Sequence, residues 1–284
     1  QETINFKAFS YTPKLVNDSL YAALNNATSP EEQLPVLYAI GQEHKLYGSA
    51  DSVVFYANRI HNILNTKSEF VIPALYQVKA NELLGEGKYL NGLYDQALKA
   101  FINGLSTPEA IENDTLTKRL KLGLGKIYLQ KKLFKKADAL FLEATSVKND
   151  NALAAEATLF IGRSLFQQNK LVEAKQTYIN AKKLIGGVAT SKLNMEIGLA
   201  MAELEIKQKN YNSAIPIYES VVTKGLQQNY FDLYTEAVLG YGSASRALGN
   251  FEVAEITLSM AYANAMQWNR LDLQKKIINS LRRT

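Results

Sequence analysis

Residues 120–144 read LKLGLGKIYLQKKLFKKADALFLEA. At helical spacing this is two short amphipathic helices meeting at a lysine-rich turn. Leu124, Gly125 and Tyr128 share one face of the first helix, and Phe134, Ala137, Phe141 and Ala144 share one face of the second. Small and bulky side chains alternate along both faces. That pattern suits two antiparallel helices that approach closely wherever a small residue faces a small residue.

The rest of the chain copies this unit. In each copy a small or apolar residue is followed by a bulky or apolar one four positions later and a third three beyond: Val53/Ala57/Ile60, Ala97/Phe101/Gly104, Ala137/Phe141/Ala144, Ala174/Tyr178/Ala181, Ala214/Tyr218/Val221 and Ala254/Leu258/Ala261. Twelve residues before each leader stands another small residue: Gly41, Gly85, Gly125, Gly162, Ala202 and Gly242. We read Ala137, Ala174, Ala214 and Ala254, together with those six, as packing residues. Turn sequences such as Asn91-Gly92, Gln168-Asn169, Lys209-Asn210 and Gly249-Asn250 separate the helices of a pair. Ser106-Thr107-Pro108, Asn149-Asp150-Asn151 and Gly186-Gly187 separate the pairs. Thr12-Pro13 and Ser29-Pro30-Glu31-Glu32 are helix starts, the first opening a helix to about Ala27.

This pattern resembles the tetratricopeptide repeat, although the leaders recur at 44, 40, 37, 40 and 40 residues rather than the usual ~34. The resemblance implies an all-α, right-handed α-α superhelix, a solenoid of about six long helix pairs. After a leader at 1–11, the expected domain is a single solenoid over 12–284, with repeats at about 30–66, 69–106, 108–148, 151–186, 188–226 and 229–267. Residues 269–284 are either a capping helix or the first helix of a truncated seventh repeat. The opening, LVNDSLYAALNNATSPEEQLPVLYAIGQEHKLYGSADSVVFYANRI at 15–60, further resembles the start of tetratricopeptide sensor regions in bacterial histidine kinases and repeat-containing transcriptional regulators. This implies a non-enzymatic interaction scaffold, the extracytoplasmic sensor domain of a larger signalling protein. The alternative is a free-standing periplasmic or surface adaptor in envelope assembly.

Composition agrees with a large helical core: 47% of residues are hydrophobic and only six are proline. No apolar run approaches the ~18 residues of a membrane span. The net charge of +5 is local. Residues 115–137 hold eight bases (Lys118, Arg119, Lys121, Lys126, Lys131, Lys132, Lys135, Lys136) and no acid, leaving 24 − 27 = −3 elsewhere. A nucleic-acid partner is therefore not expected. With no cysteine, disulfides, thiolate metal sites and cysteine nucleophiles are excluded. The chain begins at Gln1, and the expectation is a signal peptide removed just upstream, hence a periplasmic or extracytoplasmic location, with the cytoplasm left open.

No catalytic motif emerges. Gly125-Lys126 lacks the glycine (Leu120 stands there) and the hydroxyl (Ile127) of a phosphate loop. His44 and His61 have no metal-ligand spacing, and His44 falls on a packed face as a structural histidine. Gly242-Ser243-Ala244 is not a nucleophile elbow. No cofactor, no metal and no enzymatic activity are expected. The binding residues expected are those one position after each packing residue, a row of Gln42, Glu86, Lys126, Arg163, Glu203 and Ser243, with Arg119, Phe160 and Arg246 a turn away. Arg119, Lys126 and Arg163 would grip a carboxylate-bearing peptide or small anion, with Phe160 as an apolar anchor, or else pair with acids such as Glu156 and Glu196.

Overall fold

A computed structural model describes residues 17–66, 74–107, 112–186, 192–267, 274 and 277–280. Among them are thirteen helices of nine residues or more, a short helical segment at 277–280, and no strand. They are α1 (Asp18–Asn26), α2 (Pro30–Leu46), α3 (Ala50–Asn65), α4 (Leu75–Leu90), α5 (Tyr94–Leu105), α6 (Asp114–Gln130), α7 (Phe134–Thr145), α8 (Asn151–Gln167), α9 (Leu171–Ile185), α10 (Lys192–Lys207), α11 (Tyr211–Gln227), α12 (Phe231–Ala247) and α13 (Phe251–Gln267). Thr12-Pro13, the leader at 1–11 and most of 269–284 lie outside the described residues; the helix expected to run from Thr12-Pro13 to about Ala27 begins at Asp18, because the Asn17 side chain caps it by accepting from Ser19 N–H at 3.1 Å. The chain divides into two compact units, one ending at Ser164 and the next beginning at Leu165, within α8.

Local chemistry sets the helix ends. At α2 the Ser29 hydroxyl accepts from Glu32 N–H while the Glu32 carboxylate accepts from Thr28 and Ser29 N–H, a reciprocal cap followed by Pro30. Those N–H donors, Thr28 first, hold the Glu32 carboxyl below its usual range. Asn113 caps α6 through Leu116 N–H at 3.0 Å, and Asp150 caps α8 through Leu153 N–H at 2.9 Å. All six pairs α2/α3, α4/α5, α6/α7, α8/α9, α10/α11 and α12/α13 turn identically. Two residues past the first helix the backbone takes a positive φ, at Gly48, Gly92, Lys132, Asn169, Lys209 and Gly249. The following residue's N–H then bonds five back, as in Leu93 to Lys88 and Asn250 to Ser245, both 2.9 Å. This Schellman closure satisfies carbonyls that the helix end would otherwise orphan. Each turn is three residues long, so the helices paired within one unit run antiparallel.

The packing residues do what their size requires. In the first unit a Cβ on Gly85 would lie 2.5 Å from the Phe101 ring, and one on Gly125 2.5 Å from Phe141. Gly41 faces Leu83, where a Cβ would come within 2.7 Å. Phe101 is also clasped from the next pair, since a Cβ on Gly123 of α6 would sit 2.4 Å from it. Phe101 thus plugs into its own pair and the next. Phe141 does this against the Phe160 ring, centroids 5.6 Å apart. In the second unit Gly242 faces Thr257 and Leu258, and Ala202, Ala214 and Ala254 are buried. Ala137, Ala174 and Gly162 are buried too. Ile277 lies in the core of this second unit with Val238 and Ala261.

Candidate functional site

In the first unit the helices that open each pair, α2, α4, α6 and α8, share a polar face. Tyr38 of α2 donates to the Glu82 carboxylate of α4 at 2.6 Å, and Gln42 donates to the Tyr38 oxygen at 2.8 Å. Lys45 of α2 lies 3.5 Å from Glu86 of α4. Arg119 of α6 reaches back to Glu82 at 4.0 Å and forward to Asp150, the α8 cap, at 3.6 Å. Lys126 of α6 joins Glu86 at 3.5 Å to Glu156 of α8 at 2.6 Å, with its ammonium 5.0 Å from the Phe160 ring centre. Arg163 lies over the same ring, also at 5.0 Å. The strip therefore runs unbroken across four first helices.

Its electrostatics follow from burial opposed by pairing. Lys126 is only 5% exposed. Burial works against its charge, but the Glu156 and Glu86 carboxylates outweigh it and hold the ammonium pKa above the ordinary value. For Glu156 burial likewise favours the neutral acid, and Lys126, then Lys45, overcome it and hold the carboxyl down to about 2. Burial, then the Glu82 charge, pushes the Tyr38 hydroxyl up.

Lys79 of α4 differs from its neighbours. Its ammonium stands over the Tyr38 and Tyr76 rings at 5.0 and 4.6 Å, and no carboxylate pairs with it among the described residues. Burial is the largest influence on it and pulls its pKa down; Glu82 opposes this and nearby Arg119 adds to it. Lys79 and Arg119 occupy the same place in successive repeats, seven positions before the row residues Glu86 and Lys126.

The expected binding residues fall into three groups. Arg119, Lys126, Phe160 and Arg163 come together on this strip; Phe160 is 6% exposed and shared with the core. Ser243 and Arg246 meet at the end of the second unit. There the Ser243 hydroxyl lies 3.2 Å from that of Ser280 and Arg246 donates to the Ser280 carbonyl, tying residues 277–280 to α12. Glu203 lines a separate small cavity of that unit. Of the eight clustered bases, Lys131, Lys132, Lys135 and Lys136 are exposed around the α6–α7 turn, and Lys118 and Lys121 pair with Asp114 and Glu143. His44 is stacked on Tyr56 with Tyr21 at 3.3 Å, and burial lowers its pKa. Sequence reasoning missed Tyr38, Lys79 and Glu82. Their signal was the position already used for Arg119, applied one repeat earlier for Lys79.

No family model and no curated protein matches the chain. Solved structures do. A Rap protein complexed with competence and sporulation factor superimposes at a TM-score of 0.70 and 10% identity, over 93% of this chain and 80% of that one. The Rap conjugation gene regulator of plasmid pLS20, in complex with the Phr* peptide, gives 0.60 and 13%, over 92% and 75%. A chain of the APC/C hetero-tetramer Cut9–Hcn1 gives 0.57 and 11%, over 87% and 42%. The protein has the all-α, tetratricopeptide-like helical-repeat fold of these neighbours.

Proposed function

We propose that this chain is a non-enzymatic scaffold that binds an extended peptide, or a peptide segment of a partner protein, on the first-helix face of its first unit. The observation that carries the reading is the Lys79–Arg119 pair. Lys79 is a half-buried cation set between tyrosines with no carboxylate against it among the described residues. Arg119 keeps its carboxylates at 3.6 and 4.0 Å, well beyond the 2.6 Å of Lys126–Glu156, with 38% of its side chain exposed. An incoming carboxylate gains two charge-assisted donors there without breaking a tight bond. Lys126 serves as the fixed centre that keeps Glu86 and Glu156 in place. Two of the solved neighbours were captured with a peptide or factor bound, which supports the peptide class.

The test is to pan a random dodecapeptide phage library against the whole chain and titrate the enriched peptides calorimetrically. Enrichment of Asp or Glu at one position is expected. A loss of affinity of about tenfold or more is expected in Lys79→Glu/Arg119→Glu. Absence of enrichment, or equal affinity in the variant, refutes the reading.

We further propose that the scaffold is the extracytoplasmic sensor domain of a larger signalling protein. The support is the likeness of residues 15–60 to the opening of such regions. The gene around this segment decides it. An upstream signal peptide with a downstream membrane span and kinase or helix-turn-helix module supports the sensor, whereas a stop soon after Thr284 supports a periplasmic or surface adaptor.

A further inference from the structure

The α6–α7 turn carries charge that the peptide reading does not use. Residues 131–136 read KKLFKK, and Lys131, Lys132, Leu133, Lys135 and Lys136 are all exposed. Lys131 pairs with Asp95, whose side chain is itself 83% exposed, and such a pair holds its partners weakly. The Lys136 ammonium stands 5.6 Å from the Tyr128 ring centre. Among the described residues no carboxylate pairs with Lys132 or Lys135.

Local stability favours other residues at these positions. Lys132 holds φ 57°, a left-handed conformation that glycine takes at the equivalent Gly48, Gly92 and Gly249. Lys135 and Lys136 lie in the first turn of α7, where the helix dipole disfavours a cation. In that turn α3, α5, α9 and α13 carry an acid, Asp51, Asp95, Glu173 and Glu252, and α7 carries none. Three lysines therefore stand where the fold gains nothing from their charge.

Leu133 is an independent sign. It sits in the middle of the lysines at 43% exposed, and Leu93 holds the same place in the preceding turn at 41%. A basic turn that only meets water has no use for an apolar tip, and neither has one that binds a soluble polyanion. A three-residue turn also encloses no groove for a peptide. Ammonium groups around an exposed leucine match a lipid interface. There the charges stay at the level of the phosphates while the apolar tip and the lysine stems enter the acyl boundary.

We propose that the α6–α7 turn is a contact site for an anionic lipid surface, with Lys131, Lys132, Lys135 and Lys136 on the headgroup phosphates and Leu133 in the acyl boundary. The contact is peripheral: no helix among the described residues is long and apolar enough to cross a membrane. One leucine and four lysines give a weak attachment that salt screens.

The whole chain is tested by co-sedimentation with vesicles of phosphatidylcholine alone and of phosphatidylcholine and phosphatidylglycerol in equal parts. The expected result is binding at least about tenfold tighter to the anionic vesicles, abolished by high salt. Lys132→Glu/Lys135→Glu weakens it by about tenfold or more. Because the chain has no cysteine, Leu133→Cys takes a single nitroxide label, as does Leu142→Cys, 60% exposed and farther along α7. On anionic vesicles the label at 133 is shielded from a water-soluble nickel relaxant and the label at 142 is not. Equal binding to both vesicles, unchanged binding in Lys132→Glu/Lys135→Glu, or a 133 label that stays in water overturns the proposal. Heparin forms a second arm: binding as tight as that of vesicles, with the 133 label in water, assigns the lysines to a soluble polyanion and likewise overturns it. The proposal does not rest on the peptide reading, since none of these residues belongs to the polar strip.

Discussion

Replacing Lys126 by methionine tests the physical account of the polar strip. Methionine keeps an unbranched apolar stem, makes a side chain one atom shorter than lysine's and removes the ammonium with its charge. In the native chain the ammonium lies 2.6 Å from Glu156 and 3.5 Å from Glu86, and Glu86 is 6% exposed. Holding the Glu156 carboxyl at about 2 instead of its ordinary 4.5 corresponds to roughly 3 kcal/mol of stability at neutral pH. This agrees with the ~3–5 kcal/mol lost when one partner of a buried pair is removed. The sign of the pH dependence is the sharper test. Because the folded pKa of Glu156 is depressed, its contribution is complete above about 4.5 and is lost as pH falls through about 2. In Lys126→Met, Glu86 and Glu156 lose their shared cation and keep only Lys45, 3.5 Å from Glu86, so burial now weighs more toward their protonation. Relative to the native chain, whose half-buried His44 and His61 with lowered pKa make stability fall as pH drops from 7 toward 5, the variant should therefore gain stability over that range. Urea denaturation followed by circular dichroism at half-unit pH steps measures both curves. A loss under about 1 kcal/mol at pH 7, or parallel curves, would show that Lys126 does not organise the strip.

Two glycines within helices should respond oppositely to alanine, which by helix propensity alone stabilises by about 0.5–1 kcal/mol. Gly123→Ala drives a methyl into the Phe101 ring, at 2.4 Å, and should cost about 1–2 kcal/mol net. Gly198→Ala, whose nearest neighbours stand at 3.7 Å, should keep the propensity gain, and thermal melts that rank the two the other way refute the packing account. At the six equivalent turns Lys132 holds φ 57° where Gly92 holds 72°. Lys132→Gly should raise the melting temperature by a few degrees, from relief of about 1 kcal/mol of left-handed strain; a fall would mean that the lysine side chain matters more than its backbone. Ser29→Ala breaks the α2 cap and should cost about 1 kcal/mol in urea denaturation, whereas an unchanged midpoint would assign the helix start to Pro30 alone.

Much of this protein is legible in its sequence because its repeats are local. A small residue twelve positions before each leader, and a turn of fixed length, need only helix geometry to be read as antiparallel pairs. The structure shows all six pairs closed by one turn type. Gly85, Gly125 and Gly242 sit against second-helix side chains, but these are Phe101, Phe141 and Leu258 rather than the small residues expected, because the missing Cβ makes room for a bulky group. Gly123 and Gly240 carried a further signal that went unread. They stand two positions before Gly125 and Gly242, and they receive the bulky residue of the preceding pair, Phe101 and Tyr218. Their role depends on how one pair stacks on the next, which no spacing within a pair reveals.

The same division separates the site from the fold. Sequence alone picked out a row on the first helices, because a fixed repeat position is a property of each helix by itself, but it passed over Tyr38, Lys79 and Glu82 on the same face. It could not determine which charges are committed and which remain available. Lys126 and Arg119 read alike in the chain, yet Lys126 is enclosed by two carboxylates and an aromatic ring, while Arg119 keeps part of its surface and looser partners. That difference comes from how the first helices pack, which sets Lys126 between Glu86 and Glu156 and Arg119 between Glu82 and Asp150. Only the tertiary packing decides that arrangement, and so decides that Lys126 is committed to an ion pair with Glu156.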